Sequence, residues 1–131
     1  MIEIRYADIN DTKFISTLKK IGDQPLPVKT AFTVKRILDK IGEELKVASK
    51  EYRQILQDNA ELEEDGTVKK YEDLMQGFKI KEECRDKFMT DFSTWLNKSF
   101  QVDQMKLTIE QLGEAELSAG DLNVAEAIFD I

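Results

Sequence analysis

A chain of 131 residues, 41% hydrophobic and 34% charged, carries enough apolar material to fold as one domain without a metal or disulfide staple. It has no histidine and a single cysteine, Cys84, which removes Ser-His-Asp and Cys-His catalysis, every histidine metal ligand and any internal disulfide. The net charge of -7 is uneven: residues 58–73 carry -5 and 101–131 carry -6, whereas 28–57 carry +3. Direct nucleic-acid binding, which wants a basic face, is therefore not expected, and acidic segments of this kind ordinarily serve to solvate the chain. No apolar run is long enough to span a membrane, and the N-terminus lacks the apolar core of a leader, so a soluble protein in a reducing compartment is expected.

Taken in order, residues 1–7 alternate, with Ile2, Ile4 and Tyr6 on one face, and predict a short strand that needs a partner. Asn10 or Asp11 can cap a short helix over 11–21, in which Phe14, Ile15, Leu18 and Ile21 follow at helical spacing. Gly22 ends it, and Pro25 and Pro27 impose an extended connection. From residue 28 to 58 Ala31, Val34, Leu38, Ile41, Leu45, Ala48, Tyr52 and Ile55 recur at alternating intervals of three and four, the signature of a long helix packed along its length. Gly42 interrupts this helix, either because a neighbour comes close or because it is tolerated.

Residues 59–72 read as an acidic turn, with Glu61, Glu63, Glu64 and Asp65 ahead of Gly66, whose freedom at positive φ suits a reversal. A return helix over 73–100 would bring Leu74, Phe78, Cys84, Phe88, Phe92, Trp95 and Leu96 back along the first, the bulky rings against small residues such as Ala31. Residues 102–110 alternate again, with Met105, Leu107 and Ile109 on one face, and are the natural partner of the N-terminal strand. Ser118 and Asp121 form a capping-box start for a closing helix over 119–129. The expected architecture is a single mostly helical α+β domain: a long antiparallel helical hairpin, closed at its base by paired N- and C-terminal strands and flanked by short helices.

Little in the chain points to catalysis. Cys84 stands alone in an apolar stretch and reads as a core thiol. The pairs Glu43-Glu44 and Glu82-Glu83 point about 100° apart on a helix and cannot share a substrate. Phe88, Phe92 and Trp95 could stack bases, but without interleaved basic residues they read as core. Counted from Glu61, the turn places acids at positions one, three, five and twelve (Glu72) and Gly66 sixth, an EF-hand register. Glutamate at its first and third positions is long for that loop, and an acidic hairpin tip is the simpler reading. No cofactor is expected. The long seam also offers a heptad for self-association.

The run Leu26-Pro27-Val28-Lys29-Thr30-Ala31, leading into the charged helix and the Asp65-Gly66 turn, resembles the opening of a group of short tailed-bacteriophage proteins of unknown function. The close, Leu107-Thr108-Ile109 and then Glu116-Leu117-Ser118-Ala119-Gly120-Asp121-Leu122, is similar to that group's strand and short capped helix. The resemblance implies a phage origin and a helical hairpin closed by strands, and supplies no catalytic residues. It implies no activity; the role expected of such a chain is that of a non-enzymatic protein of the host cytoplasm or the virion, acting in assembly or as an accessory factor through a phage structural or host protein. Glu61, Glu63, Glu64 and Asp65 are the contact candidates. The alternative is an acidic inhibitor of a host nucleic-acid-binding defence or regulatory protein, its carboxylates standing in for phosphates.

Overall fold

The computed structural model describes residues 1–69 and 77–130. The fold is α+β and mostly helical, in the order β1 (Ile2–Arg5), α1 (Tyr6–Asn10), α2 (Thr12–Gly22), α3 (Val28–Asn59), α4 (Arg85–Leu96), β2 (Ser99–Val102) and α5 (Ala119–Val124). Short 3-10 turns occupy Glu82–Cys84, Glu110–Leu112 and Glu126–Ile128. The residues gather into two compact units, Met1–Leu45 with Lys98–Ile131, and Lys46–Asn97, so that α3 contributes to both. Among the described residues no helix is long and apolar enough to cross a membrane.

The first unit is built on an antiparallel pair. Ile2 faces Val102 and Ile4 faces Phe100, and these four side chains are buried while the alternating Glu3, Arg5, Ser99 and Gln101 are exposed. Tyr6 continues the ladder by one bond, its amide donating to the Lys98 carbonyl at 2.8 Å, before the chain turns into helix. The Asp8 carboxylate accepts from the Arg5 amide, and the Asp11 carboxylate caps α2 through the Lys13 amide at 2.9 Å. Phe14, Leu18 and Ile21 of α2 are buried as their spacing predicts.

The partner of β1 is Ser99–Val102 and not the run 102–110, of which Val102 alone pairs with it. In that later run Met105 and Ile109 are exposed, and Leu107 instead pairs in parallel with Phe129, donating to Ile128 O and accepting from the Asp130 amide, both at 2.8 Å. Alternation alone cannot choose between two neighbouring candidate strands, since both present apolar residues at period two; helix α4 ends early enough for the nearer one to pair. The closing helix is also shorter than 119–129. Ser118 and Asp121 make the expected reciprocal cap, Asp121 N to Ser118 Oγ at 3.0 Å and Ser118 N to Asp121 Oδ2 at 3.1 Å, but regular helix stops at Val124. Asp121 also binds Lys20 Nζ of α2 at 2.6 Å, and these donations, that of Lys20 foremost, hold its carboxyl below the ordinary carboxylate range.

Helix α3 begins where Pro27 ends the extended connection, the Pro27 carbonyl accepting from the Ala31 amide at 2.9 Å. Its buried line in the first unit is Thr30, Val34, Ile37 and Ile41, rotated from the expected seam, so that Ala31 is exposed and Leu38 half-buried. Thr30 is buried with its hydroxyl donating to Gln111 O at 2.6 Å. The same loop turns at Gly113 with φ +61°, where an added Cβ would stand 3.1 Å from Pro27 Cδ. Around Gly42, by contrast, an added Cβ would meet nothing within 4 Å among the described residues, so tolerance and not close packing accounts for that glycine.

Two substitutions to alanine should thus act in opposite directions. Gly113→Ala is expected to cost about 1–3 kcal/mol through backbone strain and the Pro27 contact, and Gly42→Ala to stabilise by about 0.5–1 kcal/mol. Urea unfolding midpoints of both variants check the signs.

Candidate contact surface

Beyond Asn59 the residues alternate, Ala60 and Leu62, then Val68, then Phe78 and Ile80, and the chain becomes extended instead of helical. Ala60 bridges Ile80, and Leu62 bridges Val68, both antiparallel. Three backbone bonds close a ring among these stretches: Glu61 N donates to Lys79 O at 2.7 Å, Lys79 N to Lys69 O at 2.9 Å, and Lys69 N to Glu61 O at 2.8 Å. This extended pairing of 77–81 explains why the return helix begins at Arg85 and not at 73. It stops at Leu96, where Asn97 Nδ2 donates back to Ser93 O. Leu74, expected on that helix, and Glu72 of the calcium register lie outside the described residues.

The acidic turn sits on this framework. Gly66 N donates to Glu63 O at 2.9 Å and Glu63 N to Thr67 O at 2.7 Å, a tight reversal completed by Gly66 at φ +87°. Asp65 Oδ1 accepts from the Thr67 hydroxyl at 2.7 Å and from its amide at 3.0 Å, and these donations, the hydroxyl's foremost, hold the Asp65 carboxyl below its ordinary value. Of the four predicted contact residues, the structure brings Glu63, Glu64 and Asp65 together as an exposed turn. Glu61 is set apart, half-buried and paired with Lys79 Nζ at 3.5 Å across the ring.

In an EF-hand the loop wraps an ion; here cross-strand bonds fold 61–69 into a narrow hairpin, with an oxygen of Asp65 already occupied by Thr67. Among the described residues no group of three acidic or cysteine side chains is placed to hold a metal ion. Cys84 is half-buried in the 3-10 turn before α4.

The residue that sequence reasoning passed over is Asn59. It is fully buried at the end of α3, and its Nδ2 donates both to Ile55 O at 2.8 Å and to Asp91 Oδ2 of α4 at 3.0 Å. Its backbone carbonyl accepts from Lys81 N at 2.9 Å, and Lys87 Nζ reaches its Oδ1 at 3.5 Å and Asp91 at 3.0 Å. One residue therefore ties together the helix end and the return helix through its side chain, and the extended stretch leading from the hairpin through its main-chain carbonyl. A polar residue at helical spacing from Tyr52 and Ile55 was the available signal. The Asn59 donation first, and Lys87 second, lower the Asp91 pKa.

Aromatic rings fill the layer beneath. Tyr52 lies 5.2 Å from Trp95, 5.9 Å from Phe92 and 6.5 Å from Phe78, centroid to centroid, and Phe88 stacks on Phe92 at 5.7 Å. Trp95 is buried with its Nε1 donating to Ala48 O at 3.0 Å, so the small residue it packs over is Ala48 and not Ala31. Burial within this layer raises the Tyr52 pKa.

Compared with protein-family models, with curated proteins and with solved structures, the chain matches none.

Two outcomes test the pin. Asn59→Ala should destabilise the fold by about 1–3 kcal/mol, since Asp91 and the Ile55 carbonyl each lose a partner; denaturant unfolding followed by Trp95 fluorescence measures it. The lowered Asp91 pKa means that the folded chain favours the carboxylate, so its contribution is present above the unfolded-state value and is lost as pH falls through the folded one. The stability margin of the wild type over Asp91→Asn should accordingly be present at pH 7 and close as the pH drops below about 4.

Proposed function

We propose that the chain is a non-enzymatic bacteriophage protein that works through protein contacts, as a small virion, assembly or accessory component in the host cell. The phage origin rests on the resemblance of Leu26 to Ala31 and of the capped closing segment to a group of phage proteins. The contact assignment rests on one observation: Glu63, Glu64 and Asp65 stand exposed at the end of a hairpin whose base is held by a closed ring of backbone bonds and by buried Asn59. A solvating acidic loop has no need of such support. A fixed turn loses less conformational freedom when it is bound, and presenting three carboxylates together favours a partner with a basic recess.

The test is capture of the tagged protein from infected host cells, with identification of the co-purifying proteins. Portal, capsid or tail proteins are expected, and Glu63→Gln/Glu64→Gln should weaken their capture by roughly tenfold, about 1.4 kcal/mol. Undiminished capture by that variant would remove the hairpin from the contact. Recovery of a basic host nucleic-acid-binding protein, released by salt, would point instead to inhibition by charge mimicry.

A further inference from the structure

Within the unit Lys46–Asn97, a line of positive charge runs along the solvent side of α3, with the exposed acid Asp58 off that line and held by Gln54 Nε2 at 2.9 Å. Lys46, Lys50, Arg53 and Gln57 follow at intervals of four, three and four, so they form one line along the helix, all exposed. The flanking Ser49 and Gln54 are uncharged. Several helical lysines are paired, Lys35 with Asp39, Lys40 with Glu44 and Lys87 with Asp91, whereas among the described residues none forms an ion pair with Lys46, Lys50 or Arg53.

At its far end this line runs into the acidic turn. Gln57 Nε2 donates to the Gly66 carbonyl at 3.4 Å, which sets Glu63, Glu64 and Asp65 beside the last position of the stripe. Three unpaired cations and three exposed carboxylates therefore lie end to end, the helical part being about 16 Å long. A line ordered positive then negative is self-complementary. A half-turn about an axis across its middle lays the positive stretch of one copy on the negative stretch of another, twice over. A nucleic acid laid along the stripe would instead run into the carboxylates at its end.

We propose that this face binds a second copy of the chain, Lys46, Lys50 and Arg53 of each copy meeting the acidic turn of the other. This deepens the contact reading above by naming a partner for the hairpin. The pairing is electrostatic and strongly salt-dependent, since the screening length falls from about 10 Å at about 0.1 M salt to about 3 Å at about 1 M.

Sedimentation of the full chain at these two ionic strengths tests it, with two variants that each make the face single-signed. Lys46→Glu/Lys50→Glu/Arg53→Glu leaves it wholly negative, and Glu63→Lys/Glu64→Lys makes it mainly positive while keeping the Asp65–Thr67 turn. The wild type is expected to be dimeric at low salt and monomeric at high salt. Each variant should dimerise at least about a hundredfold more weakly, and an equimolar mixture of the two should form a heterodimer. Circular dichroism checks that both fold; should either not, Lys50→Glu and Glu64→Lys carry the same comparison. A wild type that stays monomeric at low salt, or a dimer unaffected by either variant, overturns the proposal. Hairpin-dependent capture of a phage protein would survive that result, so the two readings fail separately.

Discussion

The buried amide of Asn59 is the constraint on which the unit Lys46–Asn97 depends. A fully buried polar side chain costs stability unless its donors and acceptors are engaged, and here both donors are used, one within α3 and one on Asp91. That requirement admits few arrangements. The return helix must present Asp91 at the end of α3, while the main-chain carbonyl of Asn59 separately accepts from Lys81 N, which brings residues 77–81 alongside 59–61. The ring through Glu61, Lys69 and Lys79 follows from that placement, and the acidic turn is carried on the ring. The aromatic layer supplies the apolar burial that an amide cannot, and Trp95 Nε1 fixes the register of α4 at a second point, Ala48.

The unit Met1–Leu45 with Lys98–Ile131 uses a different economy of contacts. Its core is a two-stranded pair too small to stand alone, covered by the apolar stripes of α2 and the first part of α3. Single polar contacts hold the covering segments: Thr30 on Gln111, and Lys20 on Asp121. The lysines and carboxylates paired along α3, exposed or partly so, contribute only a few tenths of a kcal/mol each and serve solubility more than stability.

Those features that depend on local pattern were legible in the sequence. Ile2 and Ile4, the Asp11 cap, the stripe of Phe14, Leu18 and Ile21, the length of α3 and the Ser118–Asp121 box each follow from spacing within one segment. What was not legible depends on partners distant in sequence. Ser99–Val102 and Met105–Ile109 have the same alternation, and pairing with β1 distinguishes them. Phe78 and Ile80 fit a helix or a strand equally well until Ala60 and Lys69 are placed beside them. Spacing alone fits a seam through Leu38 as well as one through the fully buried Ile37, because adjacent apolar residues leave the rotation of a helix undetermined. At the acidic turn the residue types were readable, but the withdrawal of Glu61 into a pair with Lys79 was not.

The proposed role requires that the acidic turn be a supported structure and not a loose solvated loop. Amide hydrogen exchange measured residue by residue tests this most directly. The amides of Glu61, Glu63, Lys69, Lys79 and Lys81, all donors in the ring or its extensions, should be protected to a degree approaching those in the last turns of α3. Exchange of these five amides at the rate of an unstructured peptide, alongside a protected α3, would contradict it.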